Sequence, residues 1–127
     1  MKDKLKQAAM EAAKKAYVPY SNYKVGAALL TKSGKIFTGC NVENSSYGLT
    51  NCAERTAVFK AVSEGETDFE EIMIYVDSEK LPTPCGACRQ VLAEFSSDLK
   101  ITIISKNEEI HTDIGKLLPL SFKLEKK

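Results

Sequence analysis

A chain of 127 residues with 43% hydrophobic content can bury one core but is too short for two, so residues 1–127 are expected to form a single domain. Lys and Arg number 18 against 17 Asp and Glu, and the net charge of +1 supplies no field to attract a nucleic acid polymer or an anionic membrane. Met1 to Lys15 is charged throughout and no later segment reaches membrane-spanning length, so a cytoplasmic protein is expected, in which four cysteines suit metal binding or catalysis better than disulfides.

Leu5, Ala8, Ala9, Ala12, Ala13 and Ala16 recur at helical spacing, predicting an amphipathic helix that ends near Pro19. Val25 to Thr31 and Lys35 to Val42 read as strands joined across Ser33-Gly34. A helix is expected from Cys52 to about Ser63, with Ala57, Val58, Ala61 and Val62 as its buried stripe and Gly65 as its stop. Glu71 to Val76 predicts a strand, Leu81-Pro82-Thr83-Pro84 a rigid loop, and Cys85 to about Phe95 a second short helix. Ile101 to Ile104 and Glu108 to His111 predict two more strands before Leu117-Leu118-Pro119 and a lysine-rich tail. This order favours an α/β fold of three layers, α/β/α, with a mixed β-sheet of about five strands.

Cys52-Ala53-Glu54 and Pro84-Cys85-Gly86-Ala87-Cys88 together offer three thiolates for one metal with a carboxylate between them. Structural zinc is closed by four protein ligands, whereas catalytic zinc has three and keeps a position open. Both cysteine groups fall at helix starts, with Asn51 and Thr83 as candidate caps and Pro84 suited to a first helical position. Partial positive charge there favours thiolates. Three thiolates on Zn²⁺ sum to −1, and Arg55 is placed to donate to a ligand sulfur and offset the excess.

Glu54 has two readings: a proton carrier beside the open position, or a carboxylate at the third helical position that reaches back to the chain in a capping box. Cys40 could close a four-cysteine site, although it lacks a partner at metal-ligand spacing and suits a small core residue. His111, the one histidine, is expected on a half-exposed strand, and Tyr17, Tyr20, Tyr23 and Phe37 at the core or its rim.

Cys-Ala-Glu-Arg-Thr-Ala at 52–57 and Pro-Cys-Gly-Ala-Cys-Arg-Gln at 84–90 closely resemble the short-chain, homotetrameric cytidine deaminases. The resemblance extends through Tyr20 to Leu29, Gly39 to Asn44, Glu54 to Glu64, and Leu117-Leu118-Pro119 with Phe122, nearly the whole chain. It implies a cytidine deaminase-like fold and one Zn²⁺ per chain on Cys52, Cys85 and Cys88. Glu54 would move the proton, Asn41 and Glu43 would bind the ribose hydroxyls, the Ala53 backbone would meet the base, and Phe122 would reach the ring of a neighbouring subunit's substrate. Tyr23 stands where the family usually has phenylalanine; its ring can still stack on substrate. The implied activity is hydrolytic deamination of cytidine and 2′-deoxycytidine in pyrimidine salvage, in a homotetramer whose active sites neighbouring subunits complete. Rival readings are a blasticidin-type aminopyrimidine nucleoside deaminase and a non-catalytic, zinc-stabilised interaction module.

Overall fold

The structure, a computed structural model, describes residues 2–79 and 84–126. Its elements in chain order are α1 (Lys2–Ala13), β1 (Val25–Thr31), β2 (Ile36–Cys40), a 3₁₀ turn at Tyr47–Leu49, α2 (Ala53–Ser63), β3 (Phe69–Val76), α3 (Gly86–Phe95), β4 (Lys100–Ile104), β5 (Glu109–Asp113) and α4 (Ile114–Leu117). The strands form one sheet in the order β2-β1-β3-β4-β5. Only β3 and β4 run parallel, and the other neighbours are antiparallel, as expected of a mixed sheet.

Each sheet face carries its own apolar cluster. Leu5 and Ala9 of α1 pack with Ala28, Leu30, Met73 and Ile104 on one side. On the other, Ala57, Val58 and Ala61 of α2 and Leu92 and Ala93 of α3 pack with Ala27, Leu29, Ile72, Ile74, Ile101 and Ile103. Strand alternation assigns these sets to opposite faces, which makes three layers. Val62 stays 37% exposed and is not part of the α2 stripe, because one more step of 100° turns it away from the sheet.

Two glycines set how closely the helices approach. A Cβ at Gly26 would lie 2.1 Å from the Ala9 carbonyl oxygen, and one at Gly39 would lie 2.5 Å from both the Ala53 carbonyl oxygen and the Ala57 amide nitrogen. The backbone of α2 thus rests directly on β2, fixing the height of the residues that open α2.

Several boundaries differ from the sequence expectation. α1 stops at Ala13, well before Pro19, because the chain turns at Lys14 and Lys15 and then pairs with the segment after β2: Tyr17 N–H donates to the Asn41 carbonyl at 3.0 Å. Gly34 and Gly65 adopt positive φ, 92° and 87°, at the hairpin and at the end of α2, as expected. The short α4 was not expected; Asp113 caps it by accepting from Lys116 N–H at 3.0 Å. Tyr17, Tyr20 and Tyr23 lie at the surface and only Phe37 is in the core. The expected loop at Leu81 to Thr83 lies outside the described residues.

Candidate metal centre and active site

The helix starts differ from the expected caps. The cap positions are held by Cys52 and Cys85 themselves, both extended, with φ, ψ of −76°, 157° and −68°, 167°. Their carbonyls accept the first helical bonds, from Thr56 N–H at 3.1 Å and Arg89 N–H at 3.0 Å. Neither thiol caps its helix, which leaves both sulfurs to project from the helix end. Asn51 instead sits one residue earlier in a bridge to Val42, and Thr83 lies outside the described residues.

Cys52 Sγ is 3.8 Å from Cys85 Sγ, and Cys85 Sγ is 3.4 Å from Cys88 Sγ. A disulfide needs about 2.05 Å, so these thiols are free. Tetrahedral ligands at about 2.3 Å from one ion would place neighbouring sulfurs roughly 3.8 Å apart. All three sulfurs lie within 4.8 Å of one another, and among the described residues no further His, Cys, Asp or Glu joins them. The donor set therefore fits one zinc ion with three protein ligands. Cys40, half-buried at the end of β2, is not in the cluster.

The charge on the sulfurs is unevenly shared. A hydrogen bond from Cys88, aided by Arg55, holds the Cys52 thiol well below its ordinary range, although partial burial opposes it. That same bond, with burial, pushes Cys88 up. Arg55 Nη2 lies 3.5 Å from Cys52 Sγ and donates to the Thr50 carbonyl at 3.4 Å. The expected Arg55–sulfur contact is therefore present. Arg55 Nε is buried with no hydrogen-bond partner among the described residues.

With Cys52 as cap, Glu54 falls on the second helical position, so the capping box is not formed. Its side chain is only 6% exposed, and desolvation first, then the neighbouring Cys52 charge, raises its pKa. A carboxylate so buried and still next to two sulfurs is not a surface helix cap. Ala53, the first residue of α2, is fully buried.

The rim beside this centre is built by backbone pairing. Val42 exchanges two hydrogen bonds of 2.9 Å with Asn51, the residue before Cys52, and Glu43 N–H donates to the Tyr17 carbonyl at 2.8 Å. Asn41 and Glu43 both aim at the segment before β1. Asn41 Oδ1 accepts from Val25 N–H at 2.9 Å and its Nδ2 donates to the Tyr23 carbonyl at 2.8 Å. Glu43 accepts from the amides of Tyr20 and Ser21 at 3.0 and 3.2 Å and from the Ser21 hydroxyl, which lowers its pKa, the hydroxyl most of all. One Asn41 N–H and the remaining Glu43 lone pairs are left for another partner. Ser21, Glu43, Tyr47 and Thr50 line a concavity of about 320 Å³, and the Thr50 carbonyl is the one that holds Arg55.

Phe122 is 67% exposed on the tail after α4, tied to α3 through its own carbonyl, which accepts from Gln90 Nε2 at 3.1 Å. Ser21, Thr50, Arg89 and Gln90 were not singled out from sequence. Ser21, Arg89 and Gln90 lay inside stretches that carry the family resemblance, whereas Thr50 did not; what Ser21 and Thr50 touch depends on loop geometry that no local pattern announces.

Three free thiols at metal spacing from two helix ends, with a buried non-ligand glutamate between the first two in sequence, define a zinc-dependent deaminase centre. Residues 1–104 match the family described as the cytidine and deoxycytidylate deaminase zinc-binding region. The cytidine deaminase of Sporosarcina psychrophila is 48% identical over 125 residues, covering 97% of this chain and 92% of that protein. That of Halalkalibacterium halodurans is 50% identical over 119 residues, covering 92% and 90%. Among solved structures, cytidine deaminase from Burkholderia pseudomallei superposes with a TM-score of 0.92 at 47% identity, covering 96% of this chain and 99% of that one. The chain belongs to the cytidine and deoxycytidylate deaminase family.

Proposed function

We propose that this protein deaminates cytidine and 2′-deoxycytidine hydrolytically, giving uridine or 2′-deoxyuridine and ammonia. The observation that carries the reading is the set of three sulfurs at tetrahedral spacing with buried Glu54 against them. Cys52, Cys85 and Cys88 would hold the ion. Bound there, zinc supplies Lewis acidity that lowers the pKa of water from about 15.7 toward 7.

The chain's own residues do the rest. Glu54 takes a proton from the attacking water and delivers it to N3 of the pyrimidine, then takes the second proton from the hydroxyl now on C4 and passes it to N4, so that the C4 carbonyl forms as the C4–N4 bond breaks and ammonia leaves. Its burial keeps bulk water from competing for that proton. Arg55 offsets the surplus negative charge of three thiolates through Cys52. The spare capacity of Asn41 and Glu43 receives the ribose hydroxyls, the Ala53 backbone meets the base, and the Tyr23 ring stacks on it.

Residues 1–127 act as one catalytic domain of a cytoplasmic homotetramer in pyrimidine salvage, with Phe122 completing the site of a neighbouring subunit. Supporting the assembly, Tyr47, Leu49, Phe59, Leu120, Phe122 and Leu124 are exposed in one chain, more large apolar surface than a monomer needs. No helix among the described residues is long and apolar enough to cross a membrane.

The test is product analysis with purified protein on cytidine, 2′-deoxycytidine and blasticidin S. Stoichiometric uridine and ammonia are expected, with blasticidin S the poorer substrate. Preference for blasticidin S, or no turnover of a zinc-loaded protein, would refute the assignment.

A further inference from the structure

Arg89 stands one residue beyond Cys88, and its half-buried side chain is spent on backbone carbonyls. Its Nε donates to the Pro84 carbonyl at 2.8 Å and its Nη1 to the Leu117 carbonyl at 2.9 Å. The first of these carbonyls belongs to the peptide that enters Cys85. Arg89 N–H also donates to the Cys85 carbonyl at 3.0 Å, so one residue grips Cys85 from both its flanking peptides. The second carbonyl ends α4, where no helical donor remains for it and a cation is favoured. Beyond Leu117 the chain is the tail that bears Phe122, and the next α3 residue, Gln90, holds that tail by the Phe122 carbonyl.

A guanidinium offers donors in a rigid planar fork, so two carbonyls held at 2.8 and 2.9 Å by one side chain fix each other's position. We propose that Arg89 is a positioning residue that couples the Cys85 ligand loop to the C-terminal tail, so that metal retention and tail placement depend on each other. This rests on the reading of Cys85 as a zinc ligand. Arg55 acts on the charge of the centre through Cys52; Arg89 acts on its geometry through Cys85, without touching a sulfur.

Lysine keeps the charge but has no fork to hold both carbonyls. In Arg89→Lys and Arg89→Gln, zinc release from the holoenzyme to a chromogenic chelator is expected to speed by about 10- to 100-fold, the usual cost of losing a group that orients a metal ligand. Gln90→Ala, which frees the Phe122 carbonyl and leaves Leu117 held, is expected to raise KM for cytidine and to speed zinc release by far less than the Arg89 variants. A merely structural role for Arg89 would lower thermal stability and leave zinc release at room temperature as in the parent.

The reciprocal arm uses the unmodified protein and so does not depend on variants folding. Stripping zinc must raise hydrogen exchange in residues 117–126 as well as around 84–90, since coupling runs both ways. Release rates within twofold of the parent, equal acceleration by Gln90→Ala, or an exchange increase confined to the cysteine loops would overturn the proposal. A parent protein that takes up no zinc would instead refute the functional reading on which it rests.

Discussion

The two halves of the site are built differently. At the metal end, Cys52 and Cys85 open two helices, and the one that Cys52 opens, α2, is pressed onto Gly39 so closely that no side chain fits between. At the rim, Asn41, Glu43, Ser21 and Tyr23 hang on loops joined by side-chain hydrogen bonds, with Tyr47 72% exposed beside them. One chain suffices for the metal donors, whereas the rim leaves aromatic surface bare. Damage at the helix starts should therefore remove chemistry, and damage at the rim should weaken binding.

The largest effect is expected from the donors themselves. Cys88→Ala, or treatment of the parent with a strong chelator, should abolish turnover, with activity returning to the chelated parent alone on adding zinc. Metal analysis alongside the assay checks this. Next comes Glu54→Gln, which should retain zinc and lose about 10²- to 10⁴-fold in kcat, the typical worth of general acid–base help; an active mutant would leave the buried carboxylate without a role.

Gly39→Ala tests the packing that sets the height of α2. Its Cβ would meet backbone atoms at 2.5 Å, which cannot rotate away, so unfolding free energy should fall by ~1–3 kcal/mol with reduced zinc affinity. Denaturant titration and metal competition measure the two effects. Ser21→Ala removes a hydroxyl that donates to Glu43 and accepts from Tyr23 N–H at 3.0 Å, and should raise KM about 5- to 10-fold with kcat nearly unchanged. A fall in kcat alone would move Ser21 to the metal half of the comparison.

The smallest effect is electrostatic. Glu43 has a folded-state pKa below its usual 4.5, so its carboxylate contributes to rim order above that value, and the contribution is lost as pH falls through the lowered pKa. The amide resonances of Tyr20 and Ser21 should titrate together with a midpoint below 4.5, and the transition should vanish in Glu43→Gln. A midpoint at or above the ordinary value would contradict the hydrogen bonding described for this carboxylate.

The metal half was the legible one. Thiols at Cys52, Cys85 and Cys88 have few uses in this pattern, and apolar periodicity placed α2 and β1 near their true bounds. Both caps were misassigned by a residue or more because cap preferences reward oxygen side chains, while here extended cysteine backbones hold the position so that sulfur stays free. The end of α1 was misplaced for a different reason: pairing of Tyr17 with the segment around Val42, distant in sequence, draws the chain away from the helix before Pro19 forces it. The same non-local pairing hid the use of Asn41 and Glu43 as anchors for the segment before β1. The family resemblance implied ribose contacts for both residues but not what holds their side chains in place.

The most direct measurement is zinc per chain determined on the same purified sample whose conversion of cytidine is followed by ultraviolet absorbance. One zinc per chain is predicted, with turnover falling in proportion as a chelator removes it. Full turnover from metal-free protein, or zinc-loaded protein inert toward cytidine, would contradict the account.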